Sequence, residues 1–133
     1  FIVSKAAELG QFIAVHPDDQ LTYMFRDLLN RLQIKMKTGT IELELISHIH
    51  IYDNLIVISL PGDVVSDFGK QIKEALSPFP VILICYSNAY ANYLVTKHEY
   101  GKYFETYTSR LPLGKADEFI DMVIIEAKSK VTG

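Results

Sequence analysis

The sequence predicts an α/β fold that has a mixed β-sheet with helices packed on it. Two nearly unbroken apolar runs, residues 55–60 and 81–86, are typical of buried strands, and an amphipathic helical segment separates them. Strand, helix and strand in this order form a βαβ unit, whose two strands should be parallel and joined by a right-handed crossover. An alternating segment before the first run adds a β-hairpin, so the predicted sheet contains both parallel and antiparallel neighbours.

The spacing of apolar residues predicts two helices in the amino-terminal third of the chain. In residues 2–15 apolar side chains recur at helical spacing, and Pro17 ends that stretch. Asp18 or Asp19 is expected to cap a second helix, in which apolar positions recur at steps of four, three and four residues. Cations near its end and Gly39 as a stop complete this prediction.

A β-hairpin is predicted next, because the period shortens from about 3.6 residues to about 2. Apolar and polar side chains alternate in residues 41–51, which indicates a strand with one face in water. Asp53 and Asn54 both tolerate a positive φ and are expected to form the turn. Residues 55–60 are nearly all apolar and are interpreted as a central strand that needs cover on both faces.

The second half of the chain alternates strands and helices. The turn at residues 61–63 ends the hairpin, and a helix is expected to follow at once, until residues 77–80 end it. After the strand at 81–86, residues 88–96 are expected to form a loop and residues 97–103 a short helix. The last helix is the clearest, because its apolar side chains form one stripe: Ala116, Phe119, Ile120, Val123, Ile124 and Ala127.

Composition and charge limit the functional classes. The chain has 133 residues, of which 49% are hydrophobic and 22% charged, as expected of one globular domain. Its formal net charge is −3 and it has no basic run, so no nucleic-acid partner is expected. The single cysteine, Cys85, excludes a disulfide framework, and its apolar neighbours favour a buried structural thiol. No apolar run approaches the roughly 18 residues of a transmembrane segment.

Two loops carry candidate functional residues, since ligands of α/β sheets gather at the carboxyl ends of strands. Asp63 follows the first buried strand, where its carboxylate is suited to ligate a metal or to act as a base. Spacing alone favours a third role, capping the next helix, by roughly three to one. Residues 88–93 contain two tyrosines and two asparagines, whose polar ends are suited to an oxyanion or a metal. Simple surface packing is favoured there by roughly two to one for any single residue.

His48 and His50 are a third candidate, because residues two apart on a strand point to the same face. Such a pair suits a metal ion. Glu42 and Glu44 share that face, and a solvated surface is favoured by roughly four to one because third and fourth ligands are not evident.

Four segments follow one another in an order that is found in a known family. They are Leu60-Pro61-Gly62-Asp63, Asn88-Ala89-Tyr90-Ala91-Asn92-Tyr93 with Thr96 after it, Glu99-Tyr100 and Phe104-Glu105. Over residues 41–110 their order and spacing resemble the neutral/alkaline, non-lysosomal ceramidase family. That family has Leu-Pro-Gly-Glu, then Asn-x-Tyr-x-x-Tyr before a Thr, then a Glu-Tyr and a Tyr-Glu pair.

The resemblance implies a zinc-dependent amidohydrolase that converts ceramide to a sphingoid base and a fatty acid. Two histidines, a glutamate and a tyrosine hold the zinc in that family. The glutamate falls on Asp63 and the tyrosine on Tyr93. A further family tyrosine holds the substrate carbonyl, and Tyr103 is its candidate here, one position before the matching pair. Asn88 and Tyr90, in the same segment as Tyr93, are the candidate substrate-binding residues.

The sequence departs from the family in ways that shape the expected function. Asp63 reaches about 1.5 Å less far than a glutamate, and the histidine segments have no counterpart. The chain begins at Phe1 without an initiator Met. We therefore expect residues 1–133 to be a single domain that forms the carboxyl-terminal part of a larger catalytic domain and holds half of the metal site. Alone, it should bind zinc weakly or not at all and should not hydrolyse ceramide.

Two alternatives to this enzyme stay open. One is a non-catalytic α/β module that binds a small molecule or a partner protein through the same two loops. The other is a degenerate family member that keeps the fold without the metal. In each case Asp63 and Tyr93 should lie close together at the ends of neighbouring parallel strands. Exposed apolar surface on the chain should lead to self-association or to pairing with an upstream segment.

Overall fold

Two compact units make up the chain, Phe1–Glu42 and Leu43–Gly133. Whether they form one domain, as the composition suggests, stays a prediction. The computed structural model describes residues 2–38, 44–103, 106 and 109–133.

The first unit is a hairpin of two helices. α1 (Ile2–Val15) ends before Pro17, as predicted, and α2 (Gln20–Thr38) begins directly after Asp19. The Asp19 carboxylate accepts a hydrogen bond of 2.8 Å from the backbone N–H of Leu21. This is the contact of an N-cap residue, so Asp19 rather than Asp18 fills that position. The predicted stop at Gly39 lies outside the described residues.

The second unit confirms the predicted α/β class with a three-stranded mixed sheet in the order β1-β2-β4. β1 (His48–Tyr52) pairs antiparallel with β2 (Leu55–Ser59), and Asp53 in the turn has a φ of 52°. β2 pairs parallel with β4 (Val81–Ile84), and α3 (Ser66–Ala75) connects the two. The predicted hairpin and βαβ unit are therefore both present.

β1 is shorter than the predicted strand. Residues 44–47 have no regular secondary structure, and residues 41–43 lie outside the described part of the chain. Pairing begins at His48, opposite Ser59, which is the last residue of β2. The described residues 44–47 have no partner in this ladder.

The hydrophobic core of this unit covers one face of the sheet. Ile56 and Ile58 of β2 point into it, together with Phe68 and Ile72 of α3, and all four are fully buried. The final helix, α4 (Lys115–Thr132), packs on the same cluster with the predicted stripe: Ala116, Phe119, Ile120, Val123, Ile124 and Ala127. Among the described residues, none of the helices has the length and apolar character that crossing a membrane requires.

The opposite face of the sheet is open, and this corrects the prediction that 81–86 is a buried strand. Ile82 and Ile84 of β4 are each 48% exposed, and Leu55 and Val57 of β2 are only half-buried. β4 is an edge of the three-stranded sheet, so its apolar run marks an exposed strand face rather than a central position.

Residues 88–103 also differ from their prediction. The expected loop contains a short strand, β5 (Tyr93–Leu94), which pairs parallel with β3 (Asp63–Val64) in a separate two-stranded ladder. Residues 97–103 form turns instead of the expected helix. Gly101 in this segment has a φ of 85°, which no α-helix accommodates.

Candidate functional site

The ladder of β3 and β5 brings Asp63 and Tyr93 together. Asp63 is the direct partner of Tyr93 in the register of the two strands. Partners on neighbouring strands lie about 4.8 Å apart, with their side chains on the same face. The backbone N–H of Asp63 also donates to the carbonyl of Asn92 at 2.8 Å. The two residues are therefore spatial neighbours, as their positions after parallel strands predicted.

The close approach of the two loops depends on Gly62. Its φ is 119°, and a Cβ at this position would lie 2.3 Å from the carbonyl oxygen of Asn92. On the other side, the carbonyl of Gly62 accepts a hydrogen bond of 3.0 Å from the N–H of Tyr86. A side chain at position 62 would therefore push the segment after β4 away from Asp63.

Asp63 does not cap the following helix, although spacing favoured that role. α3 begins at Ser66, its N-cap residue is Val65, and no side chain caps it by a hydrogen bond. The chain first extends along β5, where the N–H of Val65 donates to the carbonyl of Leu94 at 3.2 Å. The helix therefore starts too late for Asp63 to reach its first free N–H groups, and Asp63 is half-buried.

A pocket of about 280 Å³ opens beside β3. Three residues predicted to be functional, Asp63, Tyr93 and Tyr103, share its wall. Glu99 lines the pocket too and adds a second carboxylate. Sequence reasoning gave Glu99 no role, although it belongs to one of the segments that resemble the ceramidase family. Among the described residues, the lining is Asp63, Val65, Ser66, Tyr93, Glu99, Tyr103 and Thr106. These lining residues include no lysine, arginine or histidine, so the pocket is acidic and partly aromatic.

Hydrogen bonds of buried hydroxyls hold the residues around the pocket. Thr106 is 1% exposed, and its hydroxyl donates to the carbonyl of Tyr103 at 2.7 Å and accepts from the N–H of Gly101 at 2.9 Å. The hydroxyl of Ser109 donates to the carbonyl of Tyr93 at 2.8 Å. Both pocket tyrosines are therefore fixed through their own backbone. Phe104 and Glu105, the matching family pair, lie outside the described residues.

Asn88 and Tyr90 do not line the pocket. The side-chain amide of Asn88 donates to the hydroxyl of Ser59 at 2.9 Å. Tyr90 is 53% exposed and its ring lies against that of Tyr86, with 6.1 Å between centroids and 13° between planes. A role for Asn88 and Tyr90 in substrate binding stays a prediction, and it would require a substrate that extends beyond the pocket.

Tyr86 follows β4, and sequence reasoning did not connect it with Asp63. A hydrogen bond with Asp63 is the main cause that raises the pKa of Tyr86 to about 12, and lost hydration and the negative charge of Asp63 add to it.

Cys85 is half-buried, not fully buried as its apolar neighbours suggested. Burial is the main cause that raises the pKa of its thiol, and the charge of Asp63 adds to it, while a backbone hydrogen bond from Val64 opposes them. A raised pKa leaves the thiol protonated at neutral pH, which lowers its reactivity as a nucleophile.

His48 and His50 lie on the exposed side of β1, side by side as their spacing predicted. Their ring planes are 19° apart and the centroids are separated by 6.4 Å. Within the part of the chain that the structure describes, no group of three or more His, Cys, Asp or Glu side chains is arranged to hold a metal ion. A metal at this pair would therefore have no third ligand from the described residues.

Comparisons of the chain with protein-family models, with curated proteins and with solved structures found no match. The resemblance to the ceramidase family therefore rests on the order and spacing of the sequence segments.

The residues at the site fit part of a zinc centre. Asp63 and Tyr93 offer two oxygen donors on one face of the ladder, next to a pocket that admits a small ligand. Catalytic zinc takes three protein ligands and keeps one position for water. The described residues thus supply an incomplete set, which nitrogen donors from elsewhere would have to complete.

Proposed function

We propose that this chain is part of a ceramidase-like, zinc-dependent amidohydrolase of N-acyl sphingolipids, to which it contributes half of the metal site. The observation that supports this best is the pairing of Asp63 with Tyr93. The resemblance assigns these two residues to the metal, and they are distant in sequence but adjacent in space. Because the parallel strands alone bring the two residues close, the added support is that they share one pocket lining with Glu99 and Tyr103.

Each pocket residue has a role in amide hydrolysis under this proposal. Asp63 and Tyr93 would hold the zinc ion, which when bound supplies Lewis-acid activation of water and of the amide carbonyl. The hydroxyl of Tyr103 donates to the carbonyl oxygen as negative charge develops there. Water oxygen bonds to the carbonyl carbon, the carbon–nitrogen bond breaks, and the leaving nitrogen takes a proton. Glu99, the second carboxylate of the pocket, is the candidate proton carrier.

Exposed tyrosine rings in and outside the pocket suit an amphipathic substrate. Tyr103 in the lining is 56% exposed, and Tyr86 and Tyr90, which stack on each other outside it, are 62% and 53% exposed. Tyrosine rings offer apolar surface to an acyl or alkyl chain, while their hydroxyls stay hydrated. This distribution favours a substrate with a polar head and an apolar chain over a small polar metabolite.

The test compares this chain with a longer version that includes the histidine-bearing segment expected upstream. Fatty acid released from ceramide is measured with zinc present, for wild type and for Asp63→Ala. Tyr52→Phe is the control, because Tyr52 is 61% exposed on β1. We expect activity only from the longer chain, with Asp63→Ala inactive and the control unchanged. A longer chain that binds zinc but releases no fatty acid would overturn the proposal, and so would full activity of Asp63→Ala.

A non-catalytic binding module is the alternative, and the charge of the pocket favours one class of ligand for it. Asp63 and Glu99 line the pocket, none of the described lining residues is basic, and tyrosine rings form part of the wall. Carboxylates and aromatic faces together recognise organic ammonium groups. Titration of the chain with butylammonium and with butanol, followed by NMR, tests this alternative. Metal-free binding of the ammonium alone, lost in Asp63→Asn, would support the module.

A further inference from the structure

The open face of the sheet presents apolar side chains at the carboxyl ends of β2 and β4. The strand register sets out two rows of residues on this face, which are His50 with Val57 and Ile82, then His48 with Ser59 and Ile84. Ile82 and Ile84 are each 48% exposed, so about half of each side chain remains to be buried. Ile56 and Ile58, between the open-face residues of β2, point into the core instead.

The loop after β4 extends this face beyond the ends of the strands. The side-chain amide of Asn88 donates to the hydroxyl of Ser59 at 2.9 Å, which holds the loop against the last row. Tyr86 and Tyr90 stand on either side of Asn88, and their stacked rings are 62% and 53% exposed. Exposed isoleucines and exposed tyrosines therefore follow one another along residues 82–90.

Charged side chains are absent from this part of the sequence. Residues 75–96, which contain β4 and the loop after it, include no Asp, Glu, Lys or Arg, although 22% of the whole chain is charged. The rows contributed by β1 and β2 add only neutral residues, with histidine counted as neutral at pH 7. An exposed apolar patch of this kind marks a surface that meets a protein or a membrane.

We propose that residues 82–90 on the open face bind the surface of a zwitterionic lipid bilayer. Ile82 and Ile84 enter the boundary of the acyl chains, and the rings of Tyr86 and Tyr90 lie at the headgroups with their hydroxyls hydrated. Charge favours this partner over an anionic membrane, because the face has no lysine or arginine and the chain has a net charge of −3. The proposal does not depend on the hydrolase activity, since Ile82 and Ile84 do not line the pocket.

The first test uses tryptophan as a reporter of lipid contact, because the chain contains none of its own. Ile82→Trp and the control Ile125→Trp, at a 68% exposed position of α4, are titrated with phosphatidylcholine vesicles. We expect a blue shift of the emission, and quenching by brominated acyl chains, for Ile82→Trp alone. Equal responses of the two variants, or none, would overturn the proposal. A blue shift of Ile82→Trp that grows with protein concentration and ignores vesicles would also overturn it, because a second copy would then cover the face.

The second test measures vesicle binding by flotation for wild type, Ile84→Glu and Ile125→Glu, with circular dichroism to show that the variants are folded. Ile84→Glu should weaken binding by at least about 10-fold, because it removes apolar area and places a charge against the acyl chains. Ile125→Glu should bind as wild type does. Adding phosphatidylserine should not strengthen binding, and salt should not weaken it. Unchanged binding of folded Ile84→Glu, or binding that requires phosphatidylserine, would contradict the proposed surface.

Discussion

Replacing Gly62 with alanine tests how closely the two loops of the site must approach. The substitution has two effects, backbone strain and a steric clash. Alanine at a φ of 119° is strained whatever space surrounds it, and its Cβ would meet the carbonyl oxygen of Asn92 at 2.3 Å. That oxygen belongs to the backbone and accepts the N–H of Asp63, so it cannot rotate away as a side chain would.

The expected loss of stability follows from these two effects. Backbone strain at such an angle costs about 1–3 kcal/mol. Relief of the contact moves β5 away from β3 and breaks the hydrogen bonds that Asp63 and Val65 donate across the ladder. Each bond contributes about 0.5–1.5 kcal/mol. The sum is about 2–6 kcal/mol, a large part of the roughly 5–15 kcal/mol by which a folded domain is stable.

Urea unfolding of Gly62→Ala and Gly114→Ala provides the assay and its control. Gly114 has a φ of 81° and no heavy atom within 4 Å of an added Cβ, so alanine there is strained but meets no neighbour. We expect Gly62→Ala to lose at least about 1 kcal/mol more than Gly114→Ala, with faster amide exchange at Asp63 and Val65. Equal losses, or unchanged exchange, would refute the argument that the approach to Asn92 requires a glycine.

The hydrophobic core, the half-buried phenol of Tyr100, the number of zinc ligands and the open face of the sheet each lead to one further prediction. In urea unfolding, Phe68→Ala should lower the free energy of unfolding by about 3–5 kcal/mol, because Phe68 is fully buried. Ile125→Ala, at a 68% exposed position, should lower it far less, and similar losses would contradict the assigned core. Burial raises the pKa of Tyr100, so the folded state keeps the phenol proton to a higher pH than the unfolded state, in which the phenol titrates near pH 10. The stability that this shift contributes should be full below about pH 10 and fall above it, and Tyr100→Phe should flatten that fall in thermal unfolding. Calorimetry of this chain alone should show no sub-micromolar zinc site, and a stoichiometric site that Asp63→Ala abolishes would prove the ligand count wrong. Light scattering should show self-association that Ile82→Lys weakens, because Ile82 is 48% exposed on an apolar face; a wild-type monomer at high concentration would rule this out.

The elements that could be predicted from the sequence are those whose signal is local. α4 buries the same six side chains that its helical period selects, because one face of a helix is set by spacing alone. Asp19, Pro17 and the turn at Asp53 act within a few residues and appear where expected. The adjacency of Asp63 and Tyr93 was predictable for a similar reason, since each follows a strand of one parallel pair.

What sequence reasoning missed depends on parts of the chain that are far apart. An apolar run looks the same in an edge strand and in a central strand, so the exposure of Ile82 and Ile84 could not be read from it. The two-residue strands β3 and β5 are too short to show a period. Strand alternation would have placed Tyr86 on the face of Ile84, but its φ of 57° takes the backbone out of the strand at that residue.

The backbone around Asp63 supports the role that the proposed function gives to its carboxylate. α3 starts without a side-chain cap, so the carboxylate does not serve the helix. The ladder with β5 fixes its backbone, because the N–H of Asp63 donates to the carbonyl of Asn92 and Asp63 is the register partner of Tyr93. Under the proposed function, a carboxylate that lines the pocket from a fixed backbone is preorganised, and preorganisation is what makes electrostatic stabilisation effective.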